Sequence, residues 1–201
     1  MAASLLLVRH GQIDANRQGR WHGSTEGKLT WRGRRQARKT ALHIKTAEPP
    51  IAALYSSPLD RCLKTSAYIS RSLGLEINVE ADLREYAIGE WEDTSFTELA
   101  TRHDFFTLSR GDLSYAPPGG ESLQAVSGRI THALQSINNR HTQAQRVLIV
   151  GHGAAFSVAL ATLLDGNPSV WTNYEFANCG LTELVLGPDH YLDTYNITNH
   201  L

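Results

Sequence analysis

Two segments of this chain share one layout. Leu5-Leu6-Leu7-Val8 runs into Arg9-His10-Gly11, and Val147-Leu148-Ile149-Val150 runs into Gly151-His152-Gly153. A short apolar run that stops abruptly at glycine reads as a buried strand followed by a turn. A strand with no polar face must be covered on both sides, which a parallel sheet flanked by helices provides. Each strand then delivers a histidine to the sheet edge, and the first delivers an arginine as well.

The rest of the chain fits that frame. Apolar strand-like runs lie at 4–9, 51–56, 76–80, 146–150 and 181–186, with 191–197 a further strand at an edge. Between them stand helical patterns. Thr30 can cap a helix through Ile44 with Ala37, Ala41 and Ile44 on one face. Residues 59–73 form another, stopped by Gly74; 121–138 and 153–164 are two more, the last closed by Asp165-Gly166-Asn167-Pro168. The expectation is an α/β three-layer sandwich, with a mostly parallel central sheet and helices on both faces. Ligands bind such sheets outside the carboxyl ends of the strands, where Arg9, His10 and His152 fall. The stretch 86–120, rich in aromatic, charged, Gly and Pro residues with a short helix at 96–103, reads as an excursion over the site. The 201 residues then make one domain.

Composition narrows the partners. A net charge of −1 and a pI near 6.8 favour neither nucleic acid nor an anionic membrane. Cys62 and Cys179 match no zinc or redox spacing and read as reduced small hydrophobes. There is no apolar run of the ~18 residues a membrane span needs, and no basic region precedes the first strand. A cytoplasmic location, no metal and no cofactor are the expectations; a symmetric homodimer is the base-rate expectation.

Four places carry chemistry. A strand-end histidine is commonly structural, but Arg9 beside His10 needs an oxyanion to justify its position. Gly11 lets the backbone pass close to a ligand and offer its N–H. In Ser56-Ser57-Pro58-Leu59-Asp60-Arg61, Ser57 caps a helix and Pro58 occupies its first turn. Arg61 then lies in that turn, against the helix dipole, unless a phosphate faces it. Taken alone, Arg61 could equally be a solvated arginine. Glu85 sits where the chain bends back to the same edge, and a carboxyl group near a leaving oxygen can act as general acid. In Gly151-His152-Gly153 the glycines clear space beside the ring and free the N–H groups of the next helix. Two histidines and nearby arginines at one edge suit a phosphoryl group.

Arg9-His10-Gly11, Arg61, Glu85 and His152, in this order and at these strand ends, resemble the histidine phosphatase superfamily, the phosphoglycerate mutase-like family. The resemblance extends to residues 11–37, with an asparagine after the first histidine, a Gly-Trp-like loop and Leu29-Thr30-Trp31-Arg32-Gly33-Arg34-Arg35-Gln36-Ala37 as a helix start. It includes Leu83-Arg84-Glu85-Tyr86-Ala87-Ile88-Gly89-Glu90-Trp91-Glu92 and Pro117-Pro118-Gly119-Gly120-Glu121-Ser122. It implies a phosphoglycerate mutase-like fold and a metal-independent enzyme in which His10 takes the phosphoryl group. Arg9, Arg61 and His152 hold the phosphate oxygens, with Asn16 an additional contact, and Glu85 protonates the leaving alkoxide. Gly153 joins the substrate-binding set. A protonated His152 would add a third positive charge to the two arginines. The chain departs from the family at Gln12 and Ile13, and His22 stands where many mutases carry a hydroxyl residue. His22, Arg20 and Trp21 are pocket candidates. Gly119, Glu121 and Ser122 shape a turn and cap a helix.

Three functions compete: a phosphatase on a small phosphorylated metabolite, a cofactor-dependent phosphoglycerate mutase, and a catalytically silent phosphate-recognition module. A mutase must grip a carboxylate, and the resemblance ties that task to a longer, basic insertion between the acid and the second histidine. Here that interval is short, and Arg129, Arg140 and Arg146 read as lying on or after a helix that faces elsewhere. The phosphatase reading is favoured. A binding module would not need both His10 and Glu85.

Overall fold

The computed structural model describes residues 4–141 and 145–201. Its six strands, β1 (Ser4–Arg9), β2 (Ile51–Ser56), β3 (Ile77–Val79), β4 (Arg146–Gly151), β5 (Leu181–Val185) and β6 (Tyr191–Ile197), form one sheet in the order β3-β2-β4-β1-β5-β6. The pairs β3–β2, β2–β4 and β4–β1 are parallel; β5 runs antiparallel to β1 and to β6. The mostly parallel sheet is therefore as expected, and β6 is an edge.

Strand pleating sorts the apolar residues into two cores. Leu5, Leu7, Tyr55, Val147, Ile149 and Leu184 face one side, against α6 (Leu123–Asn139) and α7 (Gly153–Asp165). Leu6, Val8, Leu54, Leu148 and Val150 face the other, against α2 (Trp31–Lys45) and α3 (Asp60–Leu73). This explains the uninterrupted apolar runs: both faces of β1 and β4 are buried. Truncating one of these leucines to alanine would cost about 2–5 kcal/mol.

The helix boundaries carry the expected signals in four places. Thr30 Oγ1 accepts from Gly33 N at 3.0 Å, and Gly74 and Gly166 end α3 and α7 in left-handed conformations. Ser122 caps α6 through Ala125 N. The start of α3 differs. The helix begins at Asp60 with Leu59 at the cap position, so Pro58 lies before it and Ser57 is not its cap. Ser57 spends its hydroxyl elsewhere, as described below.

The 86–120 stretch contains α4 (Phe96–Thr101), matching the expected short helix, and α5 (Phe105–Gly111), which has no counterpart in the sequence reading. Helix α1 (Asp14–Gln18) and a 3₁₀ segment at Pro168–Asn173 were not read from the sequence either. Rings from three of these regions meet at buried Trp21, which packs edge-on against Tyr86, Phe96, Phe105 and Trp171. Among the described residues, no helix is long and apolar enough to cross a membrane, and no group of His, Cys, Asp and Glu is arranged to hold a metal ion.

Candidate active site

Parallel pairing brings the carboxyl ends of β1, β2 and β4 level, with Arg9 opposite Gly151 and Ser56 opposite Val150. The ladder extends one residue further: His10 N donates to Gly151 O, and Ser57 N to Val150 O, both at 3.0 Å. His10, Ser57 and His152 therefore meet at one edge, with the two imidazoles 5.4 Å apart, edge to face.

His10 is almost wholly buried, and its Nδ1 lies 2.8 Å from Gly11 O. A carbonyl only accepts, so Nδ1 carries the proton and Nε2 keeps its lone pair. Burial, reinforced by the charges of Arg61 and Arg9, holds the His10 pKa well below the ordinary histidine value. Gly11 does not offer its N–H to a ligand, because that group donates to Thr65 Oγ1 at 3.0 Å. The glycine serves a close approach instead: a methyl there would lie 2.5 Å from the Gly33 carbonyl oxygen.

His152 is fully buried behind His10. Its Nε2 meets Ser57 Oγ at 2.8 Å and Cys62 Sγ at 3.4 Å. Burial first, then Arg61, His10 and Arg9, holds its pKa well below the ordinary value. The third positive charge considered from sequence is thus disfavoured, and two guanidiniums carry the charge. The space beside the ring is not open. A methyl on Gly151 would strike the Phe156 ring, and one on Gly153 would press on Arg9 Nε at 3.3 Å. Both cysteines are free and buried, with their pKa values raised by desolvation, Cys179 to about 12.

Arg61 is fully buried, and its fork is held by main chain: NH1 donates to Thr25 O, and NH2 to His22 O and Gly23 O, at 2.7–3.0 Å. The same loop is held from its amide side by Glu92, whose carboxylate accepts from Gly23 N, Ser24 N, Thr25 N and Ile88 N. Arg9 donates from NH1 to Phe176 O at 2.6 Å. Burial lowers its pKa, with Arg61 adding and Glu85 opposing. The Nε atoms of Arg9 and Arg61 are both buried without a partner. Among the described residues neither guanidinium forms an ion pair. Burying uncompensated cations is costly, and a bound dianion removes that cost.

Glu85 lines the same cavity as His10, with its carboxylate seated on the start of α7. Its Oε1 accepts from Ala155 N at 2.7 Å and Tyr86 N at 2.9 Å, and Oε2 from Ala154 N at 3.1 Å. The free N–H groups of that helix thus hold a carboxylate of this chain. Arg129 does not line the cavity over His10 and instead braces the segment that carries Glu85. It donates to the carbonyls of Asp82, Arg84 and Glu85 and pairs bidentately with Glu121. Burial works to raise the Glu121 pKa, yet the hydrogen bonds and charge of Arg129 overcome it and hold the pKa low. Arg140 and Arg146 do face elsewhere, paired with Glu80 and Glu183.

A cavity of about 350 Å³ opens over these groups. Of the predicted site residues, Arg9, His10, Asn16, His22, Glu85 and Gly153 line it, whereas Arg61 and His152 are fully buried and do not. Asn16 Oδ1 is occupied by Ile13 N and Asn178 Nδ2. Arg20 and Trp21 line the cavity too, but Arg20 and His22 are both tied to Asp93. The outer wall is aromatic, with Phe96, Phe106, Trp171, Tyr174 and Phe176. Ser57, Glu92, Arg129 and Asn178 were not read as site residues. Only the Trp-Glu pair at 91–92 carried any signal for them, since the other contacts join distant segments. In chemical terms the site offers an unprotonated imidazole nitrogen, a carboxylate across the same cavity, and two unpaired buried cations.

The model of the histidine phosphatase superfamily (branch 1) matches residues 5–198. The chain belongs to the histidine phosphatase superfamily. As such a member it is 30% identical to "Uncharacterized phosphatase PhoE" of Bacillus subtilis over 98% of this chain and 96% of that protein. It is 31% identical to "Probable phosphoglycerate mutase GpmB" of Escherichia coli over 89% and 82% of the two chains. Among solved structures, a mutant phosphoserine phosphatase from Entamoeba histolytica, in complex with phosphoserine, superposes with a TM-score of 0.87. That pair is 28% identical over 99% of both chains. The fold is thereby that of the phosphoglycerate mutase-like phosphatases.

Proposed function

We propose that this histidine phosphatase is a phosphomonoesterase that acts on a small phosphorylated metabolite through a phosphohistidine at His10. The observation that carries the reading is the Nδ1···Gly11 O contact at 2.8 Å, which leaves Nε2 unprotonated on a buried ring that lines the cavity. The Nε2 lone pair attacks phosphorus, an N–P bond forms, and the P–O bond to the leaving alcohol breaks. Glu85, as general acid, gives a proton to that oxygen. The resulting carboxylate then takes a proton from water as the water oxygen attacks phosphorus, which breaks the N–P bond and releases phosphate. Arg9 holds the phosphoryl oxygens from the cavity wall, with Asn16 and Gly153 around them, while Arg61 and His152, buried beside His10 and off that wall, support the phosphoryl group from the protein side. Buried cations gain strength where charge spreads in the transition state. No step calls on a metal or cofactor. The 86–120 stretch, through Phe96 and Phe106, forms the wall that meets the alcohol.

The relative named as a phosphoglycerate mutase keeps a second reading in view. The cavity opposes it: among the described residues, the one arginine or lysine lining it besides Arg9 is Arg20, already paired with Asp93, and a carboxylate, Glu175, also lines the cavity. A phosphoglycerate carboxylate would find little to pair with. Supplied with 3-phosphoglycerate and a trace of bisphosphoglycerate, the enzyme should release phosphate; rapid formation of 2-phosphoglycerate would establish the mutase instead. The phosphohistidine is tested by quenching turnover of a labelled substrate under alkaline conditions. An acid-labile, base-stable label on wild type that is missing from His10→Ala is expected. A wild-type enzyme that turns over without ever carrying label would reject the mechanism, as would a silent wild type.

A further inference from the structure

A second cavity, of about 750 Å³, lies on the other side of Arg9. Arg9, Arg32, Arg35 and Lys39 line it, together with Gln12 and Asn178, and among the described residues no aspartate or glutamate side chain does. The three cations from α2 have no ion-pair partner among the described residues. They share one helix, whose first turn is without an acidic residue. On a chain of net charge −1, this concentration of unpaired positive charge is local. Trp31 also lines the cavity; the residue is 76% exposed, with Arg35 over its ring at 6.0 Å. An exposed indole backed by a guanidinium is a stacking surface for a flat ring. The floor is shared with the catalytic centre. Arg9, whose Nε is buried without a partner, lines both cavities, and Asn178 Nδ2 donates to His10 O at 3.0 Å and Asn16 Oδ1 at 3.1 Å.

We propose that this second cavity binds a ligand carrying two or more phosphate groups and a flat ring, a nucleoside di- or triphosphate, with its phosphates among Arg32, Arg35 and Lys39 and its ring on Trp31. The volume suits a nucleotide, and several neighbouring cations suit a chain of phosphates better than a single anion. Occupancy bears on Arg9 and Asn178 and so alters substrate affinity next door. That coupling rests on the phosphomonoesterase reading; the binding itself does not.

The probes are the methylene analogue of ATP and inorganic tripolyphosphate, titrated by calorimetry into the full chain with vanadate filling the catalytic site. Both should bind, more weakly as salt rises, and the nucleotide analogue more tightly. The triple variant Arg32→Gln/Arg35→Gln/Lys39→Gln should weaken both at least tenfold while leaving turnover of a small phosphomonoester unchanged. Trp31→Ala should cost the nucleotide analogue about tenfold and tripolyphosphate less than twofold. Several outcomes overturn the proposal: no binding at millimolar probe, binding indifferent to the triple variant, or tripolyphosphate bound as tightly as the nucleotide. Tighter binding of anionic vesicles or duplex DNA at the same residues would assign the surface to a macromolecule and overturn it as well. Failure of the phosphatase reading is read separately, as a wild type without turnover.

Discussion

Arg61 and Glu92 hold opposite sides of one loop: the guanidinium takes the carbonyls of residues 22, 23 and 25, and the carboxylate takes the amides of residues 23, 24 and 25. The peptides between them transmit the position of one charge to the other. Glu92→Gln replaces an acceptor oxygen with an NH₂ group and strands at least one amide, at about 1–3 kcal/mol. On the proposed reaction, kcat/KM should fall roughly ten- to a hundredfold. In an Arg61→Ala background the same change should cost less than about twofold, because the charge it positions is gone. Equal losses in both backgrounds would reduce Glu92 to a purely structural part.

Glu85 makes a prediction about leaving groups. Nitrophenolate departs without a proton, whereas an alkoxide does not. Glu85→Gln should slow hydrolysis of an alkyl phosphate by about a hundredfold or more and of nitrophenyl phosphate far less, in line with general-acid effects of roughly 10²–10⁴. Parallel losses would remove Glu85 from that role.

The buried imidazoles predict a pH dependence of stability. Both His10 and His152 have folded-state pKa values below the ordinary one, so below about pH 6.5 the unfolded chain binds more protons. Their contribution is complete above that value and declines as pH falls from it toward the folded pKa. Each can add a slope of up to about 1.4 kcal/mol per pH unit. Urea midpoints followed from about pH 7.5 to about pH 5 should show the decline, and His152→Gln should flatten it. An unchanged slope in that variant would mean His152 is already protonated in the fold.

On the proposed reaction, the aromatic wall is the part of the site that would set preference for the alcohol. Phe106→Ala removes a ring worth about 1.5–3 kcal/mol when fully buried against an apolar ligand. Because Phe106 is one of six Phe, Tyr and Trp rings lining the cavity among the described residues, kcat/KM for phenyl phosphate should fall about tenfold. The value for glycerol phosphate should stay within about twofold. A uniform loss would place the alcohol elsewhere.

Much of this molecule was legible in one dimension. The runs at 5–8 and 147–150 are apolar without alternation because α2 and α3 cover one face and α6 and α7 the other. Gly74 and Gly166 end helices where a left-handed residue is needed. Helix α5 was not legible: it starts from a left-handed Asp104, and Phe105 and Phe106 are adjacent, without helical spacing, because they serve a ring cluster. Ser57 and Pro58 looked like a cap and a first turn, yet the hydroxyl is claimed by His152, 95 residues away. That Arg129 braces the loop carrying Glu85 is not legible either, since no local pattern records that its partners are carbonyls of a distant segment.

The sequence by itself determined the sheet, its parallel core and the edge at which Arg9, His10, Arg61, Glu85 and His152 assemble, because strand burial, helix stops and strand-end residues are local properties. Only the tertiary structure decided the state of those groups. Which nitrogen of His10 is bare, that His152 is held neutral, and that Arg61 hangs from a loop secured by Glu92 depend on desolvation and on hydrogen bonds between segments far apart in the chain. Those quantities exist only once the core has closed around them.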